Sequence, residues 1–244
     1  IALTSFVSYA FSHNVGLSFL GGGAVRFRLY ASWGLGTDQI AAVVALTAVT
    51  FWLGFLFLLG LTLVIAPPIL PPGTWLPAAT GFVAGIGCLG VVAGYLALIL
   101  ARRTSFSIRG HEFSLPRPAM ACLQIALSAI DWLLAAAVLY PLLSLDGMSF
   151  LRFVGIFLMA QIAGFASQVP AGVGVFESVI LLFVGTGTTR ATVLGGLVTY
   201  RVIYYLLPFV VAVLLLTGHE VARRAHVLRR LGRTLDRVAP AIVP

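Results

Sequence analysis

Long apolar stretches alternate along the chain with short segments rich in proline, glycine or arginine. Four stretches contain at least about 20 mainly apolar residues, the length that an α-helix needs to cross the hydrocarbon core of a bilayer. They are Asp38–Ala66, Thr74–Ala101, Pro118–Leu143 and Ala191–Thr217. Proline, glycine or charge bounds each stretch, and such residues are typical of helix ends. The pattern therefore predicts four full transmembrane helices.

Two further regions, Ile1–Gly36 and Ser149–Gly187, are apolar but interrupted. The interrupting residues, which we call the hairpin breaks, include Gly22, Gly23, Pro170, Gly172 and Gly174. Proline and glycine inside an apolar run break the helical hydrogen-bond ladder. Within a bilayer the freed groups must be buried in protein or line a wet cavity. We therefore predict a re-entrant hairpin of two short helices in each region; an ordinary helix pair joined at the membrane surface is the alternative.

Composition indicates that lipid is the solvent of this chain. Of its 244 residues, 60% are hydrophobic and 9% are charged, and the mean hydropathy is +1.08. A soluble domain of this length carries about 25% charged residues. The predicted fold class is therefore all-α: a polytopic membrane protein with about four full transmembrane helices plus two broken re-entrant hairpins. Because the chain starts at Ile1 without a signal-peptide pattern, we expect a fragment of a longer protein.

Arginine placement predicts how the chain is oriented. The net charge of +8 comes from arginine alone, concentrated in the loop after Ala101 and in the tail after Gly218, whereas the loop Pro67–Gly73 has none. The positive-inside rule places the arginine-rich segments in the cytoplasm, where anionic lipid explains their charge better than nucleic acid does. The two hairpins then enter from opposite sides. This arrangement predicts an inverted repeat, which many transporters use to build a substrate site.

These predictions divide the chain into a transmembrane core, 1–217, and a cytoplasmic tail, 218–244. Within the core, 1–66 is the first repeat, 67–148 contains the connecting spans and 149–217 is the second repeat. In the tail, apolar residues recur on one side of a helix and arginines fill the other. This pattern is typical of an amphipathic helix on an anionic leaflet, with a linker helix toward a following domain as the alternative.

Ionisable side chains also fall inside the apolar segments, where each charge costs a few kcal/mol. They are Arg26, Asp131, Glu177 and Arg201. The planar fork of arginine matches a phosphate, and a carboxylate accepts hydrogen bonds from an ammonium group. These residue types together predict a binding site for a polar lipid headgroup. A structural ion pair that involves Asp131 and Arg201 is the alternative.

Motifs of soluble enzymes are absent from the sequence. It contains no P-loop, no zinc-ligand spacing, no G-x-S-x-G and no dinucleotide fingerprint. The sequence therefore predicts no catalytic residue, no metal and no cofactor in this chain. Any transport would be passive, ion-coupled or driven by lipid supply.

The segment Ser167–Glu177 contains the pattern P-x-G-x-G-x-x-E, with Gly22–Tyr30 upstream and Tyr200-Arg201 downstream. Over most of the chain these residues resemble the transmembrane region of lysylphosphatidylglycerol synthases, the flippase part of the multiple peptide resistance factor (MprF) family. By position, the charged residues of this chain match the intramembrane acidic and basic positions of that family. The matched residues are Arg26, Asp131, Glu177 and Arg201.

The resemblance implies a function in lipid metabolism and antibiotic resistance. Full-length relatives are phosphatidylglycerol lysyltransferases, whose cytoplasmic aminoacyltransferase domain moves lysine or alanine from aminoacyl-tRNA to phosphatidylglycerol. The flippase part carries the product to the outer leaflet of the bacterial inner membrane, which confers resistance to cationic antimicrobial peptides. The implied partners are phosphatidylglycerol, its lysyl ester, the membrane and the transferase domain of the full-length chain. No nucleic acid is expected to contact this fragment, and a homodimer is left open.

The resulting hypothesis is a flippase core. Asp131 and Glu177 would hold the ammonium groups of the headgroup, Arg201 with Arg26 would hold its phosphate, and the hairpins would alternate its exposure. Two other functions fit the same sequence. One is a non-transporting membrane anchor of the aminoacyltransferase, and the other is a secondary transporter of a small solute.

Overall fold

The computed structural model describes residues 5–10, 27–28, 30–31, 33–69, 77, 79–101, 106–108, 111–113, 116–145, 147–184 and 189–218. After a helical segment at 5–10, the described helices are α1 (Thr37–Ile65), α2 (Thr80–Ala101), α3 (Pro118–Leu139), α4 (Phe150–Ser167), α5 (Val175–Val184) and α6 (Arg190–Gly218). Short 3-10 helices follow α3 at Tyr140–Leu143 and precede α5 at Pro170–Gly172. Strands β1 (Phe106–Ile108) and β2 (His111–Phe113) form an antiparallel hairpin between α2 and α3.

Five of these helices are long and apolar enough to cross a membrane: α1, α2, α3 with its 3-10 extension, α4 and α6. The predicted class, an all-α polytopic membrane protein, is therefore confirmed. The four predicted spans correspond to α1, α2, α3 and α6. The largest difference in bounds is at α2, which begins at Thr80 rather than Thr74. A turn precedes it, in which the Thr80 N–H donates to the carbonyl of Pro77, and proline favours such a helix boundary.

The predicted break in the second apolar region is confirmed. Helix α4 ends where Gln168 takes a left-handed conformation, and α5 begins at Val175 after the 3-10 turn. With 18 residues, α4 is long enough to cross a membrane, so it is longer than the arm predicted for a re-entrant hairpin. Helix α5 has ten residues and is too short to cross alone. Whether this pair enters and leaves on one side stays a prediction.

Two parts of the sequence analysis fall on residues outside the described ranges. Gly22, Gly23 and Arg26 of the first hairpin lie there, and so do residues 219–244 of the tail. The inverted repeat, the amphipathic tail and the division of the core into repeats therefore stay predictions. The helical segment 5–10 is described, and it packs through Val7 and Ala10 against Ala212 of α6.

A single large core cluster joins α1, α3, α4, α5 and α6. Its aromatic centre is Trp132 of α3, whose ring centroid lies 5.1 Å from those of Phe51 and Phe55 on α1. Phe157 of α4 continues the cluster toward α5 and α6, with its ring 5.7 Å from Phe176. Aromatic rings bury a large apolar area at such distances. The core thus fixes α5 and α6 beside each other, where the charged residues of both helices meet.

Candidate functional site

Glu177 lies in the first turn of α5, directly after the broken segment. One of its carboxylate oxygens, Oε2, accepts a hydrogen bond of 2.7 Å from the backbone N–H of Gly174. A carboxylate at this place satisfies a free N–H of the helix start and interacts favourably with the positive end of the helix dipole. The other oxygen, Oε1, is directed to α6.

Arg201 of α6 joins both sides of the break. Its Nε donates to Oε1 of Glu177 over 2.5 Å, and its Nη1 donates to the backbone carbonyl of Ala171 over 3.1 Å. The side chains of Arg201 and Glu177 are 22% and 15% exposed. Within the described ranges the guanidinium makes no other hydrogen bond, so its Nη2 donors are available to a ligand.

The backbone of the broken segment is strained where Arg201 binds it. Ala171 has a φ of 53°, a left-handed conformation that L-residues other than glycine rarely adopt. Gly172 follows with a φ of 61°, and a Cβ at this position would lie 3.1 Å from the Cα of Gly164. The glycine thus permits the segment to fold back closely onto α4, and the Arg201 hydrogen bond holds the turn.

Helix α6 widens at the same place. Residues Arg201–Leu206 form a π-helix, in which the Leu207 N–H donates to the carbonyl of Val202. Such wide turns are frequent at functional sites. The guanidinium carbon of Arg201 lies 5.5 Å from the centroid of the Tyr205 ring, a cation–π contact. The Tyr205 hydroxyl accepts a hydrogen bond of 3.5 Å from Nε2 of Gln161 on α4.

Three further hydroxyl groups surround this turn. Tyr204 stacks on Tyr200, with ring centroids 5.2 Å apart, and its hydroxyl is 2.6 Å from that of Tyr9 in the segment 5–10. Tyr200 is fully buried, and its hydroxyl has no hydrogen-bond partner within the described part of the chain. Because an unpaired buried hydroxyl is costly, its presence supports a contact with a ligand.

Asp131 lies in the middle of α3. Its carboxylate is within electrostatic range of the hydroxyls of Tyr9, Tyr200 and Tyr204. The side chain is exposed and forms no hydrogen bond or ion pair with any described residue. Arg201 pairs with Glu177, so the alternative of an Asp131–Arg201 ion pair is not what the structure contains.

The structure therefore brings together only some of the predicted site residues. Glu177 and Arg201 meet at the break formed by Pro170, Gly172 and Gly174, whereas Asp131 pairs with neither of them. Sequence reasoning missed the residues that complete the site, namely Ala171, Gln161, Tyr9, Tyr200, Tyr204 and Tyr205. The sequence feature that could have indicated the tyrosines is their spacing around Arg201, which places three hydroxyl groups on one part of a spanning helix.

Known proteins resemble this chain over most of its length. It is 40% identical over 220 residues to "Uncharacterized protein slr0712" of Synechocystis, covering 90% of this chain and 68% of that protein. It is 33% identical over 217 residues to "Inner membrane protein YbhN" of Escherichia coli, covering 88% of this chain and 67% of YbhN. No family model matches the chain.

A shorter similarity links the chain to lysyltransferases. Over 91 residues it is 41% identical to "Phosphatidylglycerol lysyltransferase" of Staphylococcus epidermidis, which covers 36% of this chain and 11% of that protein. The corresponding protein of Staphylococcus aureus is 38% identical over 91 residues. The resemblance predicted for most of the chain is thus found over about a third of it.

Proposed function

We propose a function from the premise that this chain belongs to the family of the inner membrane protein YbhN of Escherichia coli and the protein slr0712 of Synechocystis. The chain is a multi-pass membrane protein with partial similarity to phosphatidylglycerol lysyltransferases. Its proposed function is that of a lipid flippase in a bacterial inner membrane. It binds the headgroup of lysyl- or alanyl-phosphatidylglycerol and moves it from the inner to the outer leaflet.

The ion pair of Glu177 and Arg201 beside the broken helix is the observation that carries this proposal. Removing two charges from water costs several kcal/mol per ion, and well-packed apolar residues are often at least as stabilising. Stability alone is therefore a weak reason for the pair. Arg201 also keeps unused donors and is 22% exposed, which suits an arginine that binds an anion.

The contacts support separate roles for the charged residues. Arg201 binds the lipid phosphate through Nη2, because Nε and Nη1 already hold Glu177 and Ala171. Glu177 accepts two hydrogen bonds within the chain and orients Arg201. Asp131, which has no partner among the described residues, binds the ammonium group. The sequence-based hypothesis gave the ammonium to both acids; the contacts favour Asp131.

A vesicle assay tests the proposal. The full-length protein is reconstituted into phosphatidylglycerol vesicles with fluorescent lysyl-phosphatidylglycerol, and dithionite quenching measures the lipid that reaches the outer leaflet. We expect Arg201→Ala to slow this movement at least about tenfold, since a charge-assisted hydrogen bond contributes about 1.5–3 kcal/mol. Glu177→Gln should slow it less, because the amide still accepts a hydrogen bond.

Matched controls keep the charge changes away from the site. Arg190→Ala removes an exposed arginine at the start of α6, and Asp38→Asn neutralises an exposed acid in the first turn of α1. Both should move lipid at the wild-type rate. Unchanged movement in Arg201→Ala at equal protein level would remove Arg201 from the mechanism. A wild-type protein that moves no lipid would favour the anchor function instead.

A further inference from the structure

Asp131 has the surroundings of a proton-binding group. It shares one side of α3 with Leu127 and Leu134, which lie four residues before and three residues after it and are 57% and 62% exposed. This is an apolar face of a helix long enough to span a membrane. A carboxylate without a counter-charge in such surroundings takes up a proton or binds a cation, because the isolated charge is too costly.

The helices packed against α3 bring no counter-charge to Asp131. In the described ranges α1 contributes Asp38 in its first turn, α2 contributes Cys88 and Tyr95, and α4 contributes Arg152 in its first turn. None of them hydrogen-bonds or ion-pairs with Asp131, and Arg201 of α6 is paired with Glu177. The groups within electrostatic range of the carboxylate are the hydroxyls of Tyr9, Tyr200 and Tyr204.

We propose that Asp131 exchanges a proton for the amine of the headgroup, so that outward movement of an aminoacylated lipid is coupled to inward movement of one proton. This inference rests on the proposed flippase function. On the cytoplasmic side the ammonium group approaches protonated Asp131, the carboxyl O–H bond breaks, and the proton leaves to the cytoplasm. The carboxylate then pairs with the ammonium group, so the site stays neutral throughout.

The return step restores the first state. On the outer side a proton arrives at the carboxylate, the O–H bond forms again, and the ammonium group leaves with its lipid. One positive charge has moved outward on the lipid and one has moved inward as a proton. A membrane that is more acidic outside thus drives aminoacylated lipid outward, which gives the transport its direction.

A proton gradient across reconstituted vesicles tests the coupling. The full-length protein is supplied with fluorescent lysyl-phosphatidylglycerol, and pyranine reports the pH inside the vesicles. A gradient of one pH unit should shift the lipid toward the acidic leaflet by up to about tenfold, since one unit corresponds to a tenfold change in a coupled equilibrium. Pyranine should report proton movement with the lysyl lipid and none with phosphatidylglycerol alone.

Variants of Asp131 connect this result to the carboxylate. Asp131→Asn, which cannot exchange a proton, should lose both the gradient dependence and the proton movement, whereas Asp38→Asn should keep both. Asp131→Glu restores a titratable group and should recover both. If Asp131→Asn fails to fold, as judged by its melting temperature, Asp131→Glu decides: a folded Asp131→Glu without proton movement overturns the proposal.

The outcomes separate the coupling from the flippase function. If the wild-type protein moves lipid at a rate that does not depend on the pH gradient and pyranine reports no proton movement, the coupling is overturned but the flippase function is not. No lipid movement with or without a gradient overturns both.

Discussion

Arg201 donates a hydrogen bond of 3.1 Å to the carbonyl oxygen of Ala171, a residue held in a left-handed conformation. The same guanidinium binds Glu177 at the start of α5. One side chain of α6 therefore holds both the strained turn and the helix that follows it. The conformation of the break therefore depends on whether Arg201 binds a ligand. A ligand that draws the guanidinium away from Ala171 also releases the turn.

Glu177 and Arg201 should stabilise the fold only as a pair. Either Glu177→Ala or Arg201→Ala leaves the other charge without its partner. We expect each substitution to lower the free energy of unfolding by about 2 kcal/mol. This loss is smaller than the 3–5 kcal/mol of fully buried pairs, because both side chains are partly exposed. The double variant should lose about 1 kcal/mol less than the sum. Denaturation in detergent measures the cycle, and additive losses would contradict the pairing.

Ala171 should tolerate glycine better than a larger residue. Ala171→Gly removes a left-handed cost of about 1–2 kcal/mol and adds about 0.5–1 kcal/mol of chain entropy, so stability should stay equal or rise by up to about 1.5 kcal/mol. Ala171→Val should lower it by about 1–3 kcal/mol, because a β-branched residue strongly disfavours this conformation.

Ala93 provides the control for Ala171. It lies exposed within α2, where the same exchange to glycine should lower stability by about 1 kcal/mol. Melting temperatures of the purified variants compare the two positions. Equal losses for Ala171→Gly and Ala93→Gly would show that the turn carries no strain.

Loss of the Tyr200 hydroxyl should not destabilise the protein. This hydroxyl is fully buried without a partner among the described residues, so Tyr200→Phe should leave the free energy of unfolding unchanged or raise it by up to about 1 kcal/mol. Tyr204→Phe removes the bond to Tyr9 and should lower it by about 1 kcal/mol. If Tyr200→Phe lost as much stability as Tyr204→Phe, the Tyr200 hydroxyl would have to make a stabilising hydrogen bond, which would contradict this prediction. Slower lipid movement in Tyr200→Phe without such a loss would place the hydroxyl at the ligand.

Two neighbouring glycines of α6 should respond oppositely to alanine. A Cβ on Gly196 would overlap the carbonyl oxygen of Leu142, whereas a Cβ on Gly195 meets nothing within 4 Å. Gly196→Ala should therefore lower stability by about 1–3 kcal/mol. Gly195→Ala should be neutral or stabilising by about 0.5–1 kcal/mol. Melting curves of the two variants, which differ by one position, test the packing of α6 against the end of α3.

The spans could be predicted from the sequence because length and hydropathy decide whether a segment crosses a bilayer. Predicted Asp38–Ala66 and observed Thr37–Ile65 differ by one residue at each end. The break before α5 was also predictable, since a proline followed closely by two glycines weakens the helical hydrogen-bond ladder. The length of α4 was not, because its 18 mainly apolar residues permit either a short arm or a full crossing.

The charged positions of the site were predictable, but their pairing was not. Asp131 and Glu177 both stand out as acids in apolar surroundings, and local sequence does not say which of them meets Arg201. That depends on how α5 packs against α6, which the distant aromatic core decides. The tyrosine cluster depends on the π-helix, whose wide turn follows from packing rather than from a residue pattern.

The wide turn of α6 also determines which way the rest of that helix faces. Each residue of an α-helix turns the chain by about 100°, so one extra residue within a turn rotates everything after it by about that angle. The directions in which the later side chains point, among them the exposed Leu207 and Leu214 and the buried Ala212, are therefore determined at Arg201. A deletion of Val202 that restored regular α-helical winding would rotate the exposed surface around Leu214 relative to the rest of the protein. A change of helix geometry at the polar site therefore also changes the orientation of the distant end of α6.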